Sequence, residues 1–243
     1  MNKEALETIR HSLAHLMAAS IQDFYPEAKF GVGPVITDGF YYDVYLDTPL
    51  TPEDLEKVEQ QMRRKVSDKL AFERSEMPIT DAIKHFDGMG QRFKVELLND
   101  LKDHGTTAVK DLGDENLVGG NVDNVSIYET GGFVDLCRGP HIENAGAVRP
   151  DAFKLTRVSG AYWRGDQARD QMQRVYGVAF HTKKELKEYF VRLEEAKKRD
   201  HRRLGVDLDL FSINPDTFFE GFENHSNAIT IQCGSPPAWG KPM

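Results

Sequence analysis

The chain has 243 residues, 40% of them hydrophobic and 29% charged, and its 14 Phe, 8 Tyr and 2 Trp are enough to build a core and exclude wholesale disorder. No run approaches the ~18 apolar residues of a membrane span. The N-terminus MNKEALETIRHS lacks a secretion signal, and two cysteines, Cys137 and Cys233, cannot make a disulfide scaffold, so a cytoplasmic protein with reduced thiols is expected. The net charge of −8 hides an uneven distribution: residues 154–203 carry 14 Lys/Arg against 7 Asp/Glu, a basic segment on an otherwise acidic chain.

Residues 4–24 predict a helix, with Leu6, Ile9, Leu13, Leu16, Met17, Ile21 and Phe24 on one side at 3.6 spacing. His11 and His15 fall opposite that stripe with Thr8, Ala18 and Ala19, which points to a face lining a cleft rather than facing solvent. Lys29 to Leu46 reads as a hairpin turning at Thr37-Asp38-Gly39. Thr51-Pro52-Glu53-Asp54 starts a helix to about Leu70, with a hydroxyl cap, proline at the first position and an acidic first turn. Shorter helices are expected near 80–87 and 90–103. Strands broken by glycine follow: VSIYE, FVDLC, KLTRVSGAYW and MQRVYGVAF. Thr182 and Glu185 form a capping box for a charged helix reaching about Leu204, stopped by Gly205. Helices with antiparallel strands place the fold in the α+β class. The tail from Ser212 has no sustained period and is expected to anchor poorly.

His11 and His15, at i and i+4, project from one helical face about a turn apart. Far downstream, Cys137-Arg-Gly-Pro-His141 follows a strand, and its Gly-Pro turns the chain to re-aim His141. Two His, a Cys and a His are a ligand set for tetrahedral zinc. They are equally a set of groups that exchange protons near neutral pH, which hydrolysis needs. The residues alone leave both readings open.

RHSLAHL, FGVGPVITDGFYYDV, FVDLCRGPHIENAG, RVSGAYWRGDQARDQMQRVYGVAF and LEEAKKRDHRRLGVDLDLFS stand in order along the chain. Together they strongly resemble the second N-terminal, editing domain of bacterial-type threonyl-tRNA synthetases and the linker helix that follows it, over about residues 5–212. Alanyl-tRNA editing proteins share the two His/Cys pairs but not the longer strings. The resemblance implies an editing domain over 1–180, a linker helix over 181–211, and an atypical tail over 212–243. The small domain that usually precedes the editing domain is not found, and the tail does not resemble the start of a class II core, so no charging of tRNA with threonine is expected.

The activity implied is hydrolysis of the ester in mischarged seryl-tRNA(Thr), with a separate threonyl-tRNA synthetase as a possible partner and no membrane. By resemblance, His11 orients water or the terminal ribose hydroxyl. Lys94 positions a second water or stabilises the oxyanion, and Asp135 binds the substrate's α-amino group. Tyr42 and Gly33 shape a pocket that rejects threonine; His15, Cys137 and His141 complete its wall, the last two as contributors to chemistry. In the alanyl-editing relatives the set His11, His15, Cys137 and His141 corresponds to zinc ligands; in the threonyl family no metal is expected to be required. Arg157, Arg164, Arg169 and Arg174 are candidate tRNA contacts. Two alternatives stand beside this reading: a non-catalytic tRNA-binding or dimerising fragment, and a zinc-dependent alanyl-type editor. Because neither His11 nor Lys94 belongs to the apolar stripe, replacing either is expected to spare folding.

Overall fold

The computed structural model describes residues 3–106 and 123–199, together with the backbone of 212–213 and 229–230. The part of the predicted charged helix beyond 199, its Gly205 stop and most of the tail lie outside the described residues. The chain divides into two compact units, Met1–Leu186 and Lys187–Met243. All candidate site residues belong to the first. No described helix is long and apolar enough to cross a membrane.

The first unit is α+β. Helix α1 (Lys3–Phe24) precedes short strands β1 (Lys29–Phe30) and β2 (Val35–Ile36) and the longer β3 (Gly39–Tyr45). These are followed by α2 (Pro52–Ser67), β4 (Glu73–Pro78), α3 (Ile79–Gly88), α4 (Arg92–His104), β5 (Asn124–Thr130) and β6 (Phe133–Leu136). Strands β7 (Phe153–Tyr162) and β8 (Gln171–Ala179) then form a long hairpin, and α5 (Lys183–Lys198) follows in sequence. The larger sheet runs β1-β3-β8-β7 with β2 also on β3; the smaller runs β4-β5-β6, and every pairing is antiparallel. The expected hairpin over 29–46 is interrupted, since its first arm bends between β1 and β2, but Gly31 and Val32 still bond to Asp43 of β3.

The helix starts follow from local chemistry. Thr51 and Asp54 close a capping box at α2, with Pro52 in the first turn. At α5, Thr182 Oγ1 accepts from the Glu185 amide while Glu185 Oε2 accepts from that of Thr182. Strand β4 carries no predictive signal in the sequence: ERSEMP is almost wholly exposed, an edge strand of charges ending in proline.

Helix α1 lies at the centre, and its residues 12–21 are buried all round. Ala18 and Ala19, expected on a cleft face, sit instead in the main hydrophobic core with Phe30, Phe40, Met62 and Phe153. Small side chains there let neighbouring elements approach the helix closely. Arg10 fixes its rotation, donating to the Ala179 and Thr37 carbonyls at 3.1 and 2.6 Å. Within the larger sheet Phe40 stands opposite Gly177, and a Cβ at residue 177 would collide with the Phe40 ring. Two smaller cores sit under α3–α4: one of Ile79, Phe86, Leu98, Leu101 and Ile127, the other of Val32, Phe93, Leu97, Trp163 and Met172.

Asp43 of β3 is 3% exposed, and Arg174 of β8 meets it with two bonds, Nε–Oδ1 at 2.7 Å and Nη2–Oδ2 at 2.9 Å. Removing the guanidinium leaves a carboxylate buried without it. Arg174→Ala is expected to lower unfolding free energy by about 3 kcal/mol in urea titrations, and Arg174→Lys to recover only part, because an ammonium cannot make the two-pronged bond. A loss within error of zero would show the pair to be energetically idle.

Candidate active site

Four elements converge on one carboxylate. Asp135 comes from β6, where strand alternation turns it inward, and it is 2% exposed. The Tyr42 hydroxyl, from β3, donates to its Oδ2 in a short hydrogen bond. Lys94, from α4 and 3% exposed, forms a close ion pair with Oδ1 and donates to the Tyr42 oxygen at 3.0 Å. His15 of α1 places Nε2 3.3 Å from Oδ2. Burial holds Tyr42 well above the usual phenol range, with Asp135 adding to the shift, so it stays a hydroxyl donor. Gly33 completes this corner, since a Cβ there would overlap the Tyr42 ring.

Next to it stand the histidines and the thiol. Cys137 Sγ lies 3.3 Å from both His11 Nε2 and His141 Nε2, and accepts from the Gly139 amide at 3.3 Å. One S–H proton can serve only one imidazole at a time. The His141 ring is stacked on Phe72 at 5.4 Å and meets the Tyr128 edge at 4.4 Å. Ser12, one residue after His11, has its Oγ 3.1 Å from His141 Nδ1 and accepts from the Ile142 amide at 3.0 Å. The sequence reading missed Ser12, Phe72 and Tyr128. A serine in mid-helix, where the side chain competes with the backbone, was the one available signal.

Electrostatically the cluster is neutral. Burial lowers the pKa of all three rings: His11 moderately, offset by Asp135 and by the Pro140 carbonyl that accepts from it; His15 far below normal; His141 to about 2. Burial also pushes the Cys137 thiol up to about 12, with Asp135 reinforcing it. An unprotonated imidazole can accept a proton, whereas a protonated thiol is a poor nucleophile. His11 also edges an open cleft of about 1050 Å³ walled by Glu4, Glu7, Arg10, Ile36 and Thr37, with Pro140.

The ligand atoms of His11, His15, Cys137 and His141 all lie within 4.8 Å of one another. Three imidazoles and a sulfur suit zinc. Each ring also has an outer partner, Ser12, Pro140 or Asp135, as ligating histidines generally do, and His15 Nδ1 is buried without a hydrogen-bond partner. These residues fit a zinc ion.

The structure thus brings together all eight residues expected of the site: His11, His15, Gly33, Tyr42, Lys94, Asp135, Cys137 and His141. It does not gather the four arginines there. Arg174 pairs with Asp43, Arg164 with Glu96 and Asp100, and Arg169 with Glu96; Arg157 is exposed, its guanidinium 4.4 Å above the Tyr176 ring.

Lys94 corrects one expectation. It is not a polar-face residue that can be removed without affecting the fold, because its loss strands a buried carboxylate. The depressed histidines also set a pH dependence. Unfolded imidazoles titrate near 6.5, while the native rings bind protons only at lower pH, so the unfolded state takes up more protons between those values. Stability is complete above about pH 6.5 and falls as pH drops, by up to ~1.4 kcal/mol per pH unit for each such histidine. Urea midpoints measured from pH 7.5 to 4.5 should decline through this window, and His141→Asn should flatten the decline; an invariant midpoint would contradict the buried neutral cluster.

Residues 125–176, which span β5 to β8 and include Asp135, Cys137 and His141, match the model of the threonyl and alanyl tRNA synthetase second additional domain. The chain is 51% identical over 213 residues to the threonine–tRNA ligase of Citrifermentans bemidjiense and to that of a Geobacter species. It is 49% identical over 215 residues to the enzyme of Maridesulfovibrio salexigens. Each match covers 88% of this chain and 30% of the relative, so the chain spans about a third of the length of the curated relatives it matches. Residues 125–176 thus match the second additional domain of the threonyl and alanyl tRNA synthetases, and the chain over most of its length is similar to a part of threonine–tRNA ligases.

Proposed function

We propose that this chain is an aminoacyl-tRNA editing hydrolase that cleaves the ester of mischarged seryl-tRNA(Thr). The observation that carries the reading is the buried Asp135–Lys94–Tyr42 corner placed against a neutral His/Cys cluster at the edge of an open cleft. A carboxylate in a dry corner is a strong anchor for an α-ammonium. The open cleft of about 1050 Å³ beside His11 is assigned to the terminal nucleotide of a tRNA.

Serine and threonine differ by one methyl, worth only about 1–3 kcal/mol in a binding pocket. A second site that excludes the methyl corrects what the first cannot. Gly33 packs so closely on the Tyr42 ring that a Cβ there would overlap it, and these two residues are assigned the wall of that pocket. In hydrolysis, water adds to the ester carbonyl and the carbon–oxygen bond to the ribose breaks. Neutral His11 orients the water or the ribose hydroxyl and relays the proton to the leaving oxygen. Lys94 stabilises the developing oxyanion, while Asp135, held by Tyr42 and His15, retains the ammonium. Were zinc to bind His11, His15, Cys137 and His141, it would supply a Lewis acid beside the ester.

His11→Ala is expected to lower kcat for Ser-tRNA(Thr) deacylation by roughly 10²-fold or more with little change in KM. Lys94→Met, which keeps the stem, should do the same at reduced stability. The double variant should be little worse than the worse single one, because groups acting as a unit are not additive. Full activity in either single variant removes that residue from the mechanism. Chelation should leave deacylation nearly unchanged; a stoichiometric metal whose removal abolishes activity, with preference for alanyl-tRNA substrates, would transfer the chain to the alanyl-type reading.

A further inference from the structure

Helix α4 carries Lys94, yet its first turn has no side-chain cap bond. Gln91, just before it, sets its depth, bonding the Phe30 amide at 2.9 Å and the Ala28 carbonyl at 3.0 Å. Its rotation is set elsewhere. Arg92, Glu96 and Asp100 recur at i, i+4 and i+8, one stripe along the helix. That stripe meets the tip of the β7–β8 hairpin, residues 163–170. Trp163 Nε1 donates to Glu96 Oε2 at 3.0 Å; Arg164 Nε lies 3.1 Å from Glu96 Oε1, and its Nη2 closes tightly on Asp100; Arg92 Nη2 reaches Asp170 at 2.7 Å. Beneath these contacts the Trp163 ring packs on Phe93 at 4.9 Å, beside Leu97.

Arg164 is unusual in its backbone. Its φ of 57° and ψ of 20° lie in the left-handed region, which disfavours any side chain except glycine's hydrogen and is held only where the surroundings impose it. The conformation swings the guanidinium, 17% exposed, onto α4, where it reaches both carboxylates. Glycine would fit the turn without strain but could make neither the ion pair with Glu96 nor the bond to Asp100.

We propose that Arg164 is a positioning residue for Lys94: by clamping Glu96 and Asp100 it fixes the rotation of α4 that points the Lys94 ammonium at Asp135 and the ester. This rests on the reading that Lys94 acts in deacylation, and it removes Arg164 from the candidate tRNA contacts.

The test compares Arg164→Ala, Arg164→Gly and Arg164→Lys in the full chain, on Ser-tRNA(Thr) at several salt concentrations. Arg164→Ala and Arg164→Gly should each lower kcat about tenfold with KM and its salt dependence unchanged, and Arg164→Lys should restore part of the rate. In a Lys94→Met background, Arg164→Ala should add less than about twofold, as expected of residues acting through one another. A raised KM with a flatter salt dependence would mark a phosphate contact and overturn the proposal. So would a lower melting temperature with kcat intact, the mark of a purely structural pair.

Amide hydrogen exchange provides a readout independent of catalysis. Arg164→Lys and Arg164→Ala should speed exchange in α4 at least severalfold while α2 is unchanged; equal protection of α4 in variant and parent overturns the clamp. If the parent chain hydrolyses no aminoacyl-tRNA, the functional reading fails, and the exchange data alone decide whether Arg164 holds α4.

Discussion

One buried negative charge organises the molecule. A carboxylate taken out of water is tolerated only if cations and hydrogen-bond donors replace its hydration shell. Asp135 obtains them from Lys94, Tyr42 and His15, which are 41, 93 and 120 residues away along the chain. Helices α1 and α4 and strands β3 and β6 must all be in register before the charge is satisfied. The site is therefore not an addition to a finished scaffold. Satisfying Asp135 and assembling the candidate site are the same folding event.

The surroundings divide the labour. Aromatic and aliphatic walls, Phe30, Phe72, Phe133 and Tyr128 among them, strip water from the histidines and the thiol, and these respond by staying uncharged. Beside them the buried ion pair is that of Lys94 and Asp135. In such a medium a neutral imidazole keeps its capacity to accept a proton, and the electrostatic reach of the single ion pair is greater than in water. The uncharged histidines and thiol and the ion pair are thus kept within a few ångströms of each other.

Much of this was legible in the sequence. The 3.6 period gave α1, proline and threonine gave the start of α2, and paired histidines with C-x-x-x-H marked the cluster, because periodicity, caps and ligand spacing are local signals. Strand β4 was not legible, since an exposed edge strand needs no alternation and ERSEMP has none. The face of α1 was half right: His11 and His15 do line the site, but Ala18 and Ala19 are small because the core presses on them from every side. Lys94 could not be distinguished from a solvent lysine by any pattern within its helix. Its burial arises from a carboxylate 41 residues later, and only the family resemblance named it. Arg164 looked like a basic-segment arginine for the same reason: its partners lie on an element more than 60 residues earlier.

The contact between Phe40 and Gly177 has a different kind of consequence. It occurs inside the larger sheet, on strands that carry Tyr42 in β3 and Arg174 in β8, where the aromatic ring occupies the volume a side chain would take. Any residue other than glycine must displace the Phe40 ring, which is buried two residues from Tyr42 on the same strand. A random-mutagenesis screen scored by loss of activity would therefore return residue 177 alongside the histidines, although nothing at that position approaches the chemistry. Sequence drift is closed there by steric exclusion, so intolerance to change in this domain marks two populations of residues, those of the candidate site and those that leave room.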